Sequence, residues 1–96
     1  MNKVLSLKQI EKISKALGDP YRLKIMELIN KEKEFMQCVS IVGCIDLAQS
    51  TVSHHVNQLV DAELLVAEKD GRNVKYWVNR DIFEAYISYL GHFSVK

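Results

Sequence analysis

Partway along the chain the apolar residues change period, and that change limits the folds open to it. From Gln49 to Ala62, Val52, Val56, Leu59 and Val60 stand at i, i+4, i+7 and i+8, the stripe of a helix with one buried face. From Leu65 to Lys69, and again from Val74 to Val78, apolar and polar residues alternate like strands. Asp70-Gly71-Arg72-Asn73 between them has the chemistry of a hairpin turn. Val74, Tyr76 and Val78 share one strand face. The spacing thus predicts a helix running into a hairpin, within a chain of only 96 residues.

The flanking segments read as helices. Ser6 and Gln9 form a capping box ahead of Leu7, Ile10, Ile13 and Leu17, and Gly18 ends that helix. Asp19 is the next N-cap and Pro20 the first helical residue, where its missing N–H costs nothing. Leu23, Ile25, Met26, Leu28 and Ile29 predict a second helix, mostly buried. Lys31–Glu34 is a solvated connection, and Cys38–Cys44 a short third helix. Asp46, with Gln49 three residues on, is expected to cap the helix that follows. A last helix is expected from Asp81 to His92. One domain over residues 1–96 accounts for this length. The fold class is mainly α with a small β-hairpin: a winged helix-turn-helix of about five helices and a two-stranded wing.

The helix from Gln49 carries Ser50, Ser53, His54, Asn57 and Asp61 opposite its apolar stripe. The major groove of DNA admits one helix, and Gln, Ser, Thr, Asn and His side chains read base edges there. Small side chains near the helix start also let backbone amides approach phosphates. A solvated helix face is the plainer explanation of the same pattern. Ser50, Thr51 and Ser53 are poor helix formers, however, and three within four positions ask for a reason. Lys69, Arg72 and Lys75 on the hairpin are placed to reach the DNA backbone or a minor groove.

Formal net charge is only +1, so any DNA contact must come from a local patch. The chain is 48% apolar, more than one small core needs, and Ile82, Phe83, Tyr86, Ile87, Tyr89, Leu90 and Phe93 cover much of the last helix. A homodimer through the first and last helices would use that surplus. No segment approaches a membrane span, and the N-terminus from Met1 to Ser6 carries no apolar leader. Two cysteines are too few for a disulfide framework. Free thiols and no leader point to the cytoplasm. No nucleophile–base pairing and no Gly-rich phosphate loop suggest an enzyme.

Several blocks together resemble the arsenic-repressor (ArsR) family of winged-helix regulators. They are Leu17-Gly18-Asp19-Pro20-Tyr21-Arg22-Leu23-Lys24-Ile25, Gln49-Ser50-Thr51-Val52-Ser53-His54-His55-Val56, Ala62-Glu63-Leu64-Leu65-Val66, and Gly71, Arg72 and Tyr76. The resemblance implies a dimeric repressor of double-stranded DNA, commonly released from its operator by a metal or chemical signal. It places Gln49, Ser50, Thr51, Ser53, His54 and His55 on the recognition helix and Arg72 on the wing. With Asn57, Lys69 and Lys75 these are the candidate DNA-binding residues. His55 borders the apolar stripe, so a packing role is as well supported as a DNA contact; His54 points further outward. Arg22 is expected to pair with a carboxylate such as Glu63, with a phosphate contact as the alternative.

The sequence also departs from the family. The Cys-x-Cys pair of metal-sensing members is replaced by Gln37 and Val39, with Cys38 between. The positions of a zinc site on the last helix hold Asn79, Asp81, His92 and Val95, too few ligands for zinc. No metal and no cofactor is therefore expected, and the inducer is not named by the sequence. Cys38 and Cys44 at the two ends of one helix are separated by about 9 Å of rise. A disulfide needs Cα atoms within about 7 Å. Ala48 stands where the family usually has a capping serine. A winged helix that binds only protein is the alternative, and it would show apolar residues in place of Gln-Ser-Thr-Val-Ser-His.

Overall fold

A computed structural model describes residues 4–95. Met1, Asn2 and Lys3, on which the reading of the N-terminus partly rests, and Lys96 lie outside the described residues. Helix α1 spans Leu7–Leu17 and opens on the expected capping box. The Gln9 amide donates to Ser6 Oγ (3.2 Å), and the Ser6 amide donates to Gln9 Oε1 (2.8 Å). Helix α2, Pro20–Lys31, starts at Asp19, whose Oδ1 accepts from the amides of Tyr21 (2.8 Å) and Arg22 (3.2 Å). Pro20 sits in the first turn, as its missing donor allows.

Helix α2 is less buried than its composition suggests. Ile25, Met26 and Ile29 enter the core and Leu28 is half-buried, but Leu23 is largely exposed. Lys31–Glu34 is solvated, as expected. Strand β1, Met36–Gln37, then precedes α3, Cys38–Cys44. Helix α4 spans Gln49–Asp61, and strands β2 and β3 span Leu65–Asp70 and Asn73–Val78. Helix α5, Arg80–Gly91, is extended by a single 3₁₀ turn over His92–Ser94.

The sheet corrects the expected two-stranded wing. It has three antiparallel strands in the order β1-β3-β2. Met36 faces Tyr76 and Gln37 faces Lys75, so β1 covers the free edge of β3 nearest the helices. Asp70 pairs with Asn73, leaving Gly71-Arg72 as a two-residue loop. Gly71 takes φ +66° and Arg72 does not, the pattern of a type II′ hairpin turn.

Ile13, Ile25, Ile29, Ile41, Val52, Val56, Leu59, Leu64, Leu65 and Ile82 are at most 2% exposed and form one core joining all five helices and β2. Val52, Val56 and Leu59 are the stripe read from the sequence, and Val60 is half-buried at its border. Helix α4 ends in a Schellman arrangement. The Leu64 amide donates to the Leu59 carbonyl (3.0 Å) and the Glu63 amide to that of Val60 (2.9 Å). Glu63 takes the left-handed C′ position with φ +64°. The chain turns sharply there, so that Leu64 and Leu65 drop into the core and aim β2 away from the helix.

Candidate nucleic-acid interface

Packing Val52, Val56 and Leu59 inward fixes which way the rest of α4 points. Gln49, Ser50, Thr51, His54 and Asn57 are exposed; Ser53 and His55 are half-buried on its two flanks. The start of α4 has no side-chain cap, which corrects the expectation that Asp46 would supply one. Ala48 is the N-cap, and its carbonyl accepts from the amides of Thr51 and Val52 (both 3.0 Å). Asp46 lies exposed in the preceding turn. The amides of Gln49 and Ser50 have no hydrogen-bond partner among the described residues. A helix start left open in this way, beside small polar side chains, suits an anionic ligand.

The wing separates its cations. Cross-strand partners share a face, so Lys69 lies with Val74 and Tyr76 on the core side of the hairpin, beyond the buried part. Arg72 is exposed at the second position of the turn. Lys75 belongs to the opposite face. Its Nζ lies 3.5 Å from Glu68 Oε1 and 5.0 Å from the centre of the Phe35 ring. Lys69 and Arg72 are thus brought to the tip, and Lys75 is held apart from them on the outer face.

Arg22 does not pair with Glu63. Its Nε donates to the Ala16 carbonyl (2.6 Å), its Nη2 to the Lys15 carbonyl (3.2 Å) and its Nη1 to His55 Nδ1 (3.2 Å). Those two carbonyls close the C-terminal end of α1, where the helix dipole favours a cation. Glu63 is unavailable because its left-handed turn leaves it exposed at the end of α4. The guanidinium instead ties α1, α2 and α4 together. Burial raises the Asp19 carboxyl pKa, but amide hydrogen bonds from Arg22 and Tyr21, and the electrostatic influence of the nearby His55 and Arg22 side chains, outweigh it and hold the carboxyl below its ordinary value. Tyr76, beneath the sheet, has its hydroxyl pushed above its ordinary value by burial and by the neighbouring Cys38 thiol.

The sequence reading missed Tyr21. Its ring stacks on His55, with centroids 6.0 Å apart and planes 24° from parallel. His54 and His55 follow at 6.1 Å. Its place in the first turn of α2, directly before Arg22, was the available signal. Cys38 and Cys44, at the two ends of α3, are free thiols.

A helix-turn-helix domain family matches residues 17–67, just over half of the chain. The arsenical resistance operon repressor of Staphylococcus aureus is 33% identical over 91 residues, covering 90% of this chain and 81% of that protein. The chain belongs to the ArsR family. The arsenical resistance operon repressor of Staphylococcus xylosus is 32% identical over 85 residues, covering 83% of this chain and 75% of that protein. Among solved structures, an ArsR-like transcriptional regulator from Rhodococcus sp. RHA1 superposes with a TM-score of 0.80 at 17% identity, covering 92% of this chain and 81% of that one. A winged helix-turn-helix DNA-binding domain from Mycobacterium bovis, described as homodimeric, gives 0.73 at 20% identity, also covering 92% and 81%. The ArsR fold and family are those of transcription regulators, not enzymes. No helix of the described residues is long and apolar enough to cross a membrane.

Proposed function

We propose that this chain is a cytoplasmic transcriptional repressor that binds a palindromic operator as a homodimer. Residues 1–96 act as one domain, with α1 and α5 forming the dimer interface. The observation that carries this is the division of α4: an inner face sealed in the core and an outer face of exposed Gln49, Ser50, Thr51, His54 and Asn57. Side chains of that kind on a rigid helix read base edges in a major groove. Exposed apolar residues, which a protein-docking face would need, are missing from that surface.

Lys69 and Arg72 at the wing tip neutralise phosphates, which strengthens binding to any sequence and makes it salt-dependent. Ser50, Ser53, His54 and Asn57 supply the discrimination between bases. Lys75 contributes charge at longer range, being engaged by Glu68 and Phe35. Fluorescence anisotropy on specific and random duplexes, at several salt concentrations, separates the two roles. Arg72→Ala should weaken both duplexes alike and reduce the salt slope by roughly one. His54→Ala should cost about 1–3 kcal/mol on the specific site and much less on random DNA. If neither variant altered DNA binding, a protein-binding winged helix would be the better account.

A further inference from the structure

We infer that Tyr21 and His55 form a clamp for a single phosphate of the DNA backbone, beside the base-reading face of α4, and that Arg22 is the residue that positions it. The inference rests on the DNA-binding role proposed above and adds a contact outside the recognition helix.

Three rings run in a row from the first turn of α2 to the outer face of α4. Tyr21 stacks on His55 at 6.0 Å, and His55 lies 6.1 Å from His54. His54 is on the outer face; His55 is on the flank, half-buried; Tyr21 is 43% exposed. When a helix lies in a major groove its flanks face the phosphate walls, whereas its outer face meets the bases.

The proton on His55 follows from Arg22. A guanidinium only donates hydrogen bonds. Arg22 Nη1 lies 3.2 Å from His55 Nδ1, so Nδ1 accepts and the ring proton is on Nε2. The contact leaves His55 with a donor and no acceptor, and no protein partner for Nε2 occurs among the described residues. Arg22 makes no ion pair either. Its other two bonds go to the neutral carbonyls of Lys15 and Ala16, while the Asp19 carboxylate accepts from the amides of Tyr21 and Arg22. An exposed phenol ring stacked on an imidazole with an N–H to donate thus lies beside a guanidinium that makes no salt bridge. The group that matches them is a singly charged phosphodiester oxygen. Contacts of this kind fix register and orientation without carrying sequence information.

Three variants and two DNAs test this. Tyr21→Phe removes the hydroxyl of an exposed side chain and keeps the stack. His55→Phe keeps a ring and removes the donor. Arg22→Met removes the positioning group. Each is titrated against the selected operator and a random duplex by anisotropy. Tyr21→Phe and His55→Phe should each weaken binding to both DNAs equally, by roughly five- to tenfold. Scanning the operator with single neutral methylphosphonates should locate one backbone position per half-site whose neutralisation weakens the wild type but not His55→Phe. Long-range ¹H–¹⁵N spectra should show the Nε2–H tautomer of His55 in the wild type and a tautomer mixture in Arg22→Met. Unchanged affinity in both Tyr21→Phe and His55→Phe would overturn the clamp, as would a loss confined to the operator. A wild type that binds neither duplex would overturn the DNA-binding role itself, and the clamp with it.

Discussion

Replacing Phe93 with alanine should separate the proposed dimer. In the single chain Phe93 is 75% exposed, Leu7 75% and Ile87 64%, and such residues on α1, on α5 and on the 3₁₀ turn that extends it are surface left for a partner. Burying a phenylalanine or leucine completely is worth about 1.5–3 kcal/mol. Three quarters of Phe93 remains to be buried and alanine retains only a methyl group, so each copy should lose about 1–1.5 kcal/mol. The dimer contains the residue twice. The cost should therefore be about 2–3 kcal/mol, a roughly 30- to 150-fold weaker dissociation constant. Sedimentation equilibrium across the micromolar range measures it directly. Far-UV circular dichroism should show the same helix content, because Phe93 packs against Tyr89 at its own helix end and not in the core. A wild type that sediments as a monomer throughout, or a variant that dimerises as tightly as the wild type, would refute the interface.

Leu59 is fully buried where α4 meets the core, so Leu59→Ala should destabilise the fold by about 2–4 kcal/mol in urea titrations, with DNA affinity falling only as the folded fraction falls. Asp19 has a lowered pKa in the folded state, so the stability it contributes is present above the ordinary carboxylate range and is lost as pH falls through that lowered value. Asp19→Ala should accordingly lower Tm at neutral pH, and the gap to wild type should close in strong acid; a gap that widened would reverse the sign. Cys38→Ser with Cys44→Ser should leave DNA binding and its response to mild oxidation unchanged, since the two thiols sit at opposite ends of α3. Loss of DNA by the oxidised wild type but not by the double variant would contradict this.

Much of the fold was legible because its signals are local. The Ser6–Gln9 capping box, the Asp19-Pro20 start and the Val52, Val56, Leu59 stripe each act within one or two helical turns. What the sequence hid depends on contacts across the chain. Strand β1 is two residues long, too short to show alternation, and exists because Met36 and Gln37 pair with Tyr76 and Lys75 some 39 residues later. Arg22 looked like half of an ion pair with Glu63. The left-handed turn at Glu63 and the carbonyls ending α1 decide otherwise, and neither is visible in residue type. The two sides of the wing followed from the register. Once Gly71-Arg72 is recognised as a two-residue loop, Lys69 and Lys75 must fall on opposite faces. The outer face of α4 was read correctly as exposed at Ser50, His54, Asn57 and Asp61, whereas Ser53 is half-buried; His55 is half-buried at the border of the apolar stripe, where the sequence put it.

Selection of duplexes from a random pool by the wild-type chain tests most directly whether α4 reads DNA as one of a symmetric pair. The account predicts enrichment of an imperfect palindrome whose half-sites are centred about one helical turn, or a multiple of it, apart. It also predicts that His54→Ala relaxes the preference at the same positions in both halves. A pool that shows no enrichment, or one that enriches a single site without twofold symmetry, would contradict it.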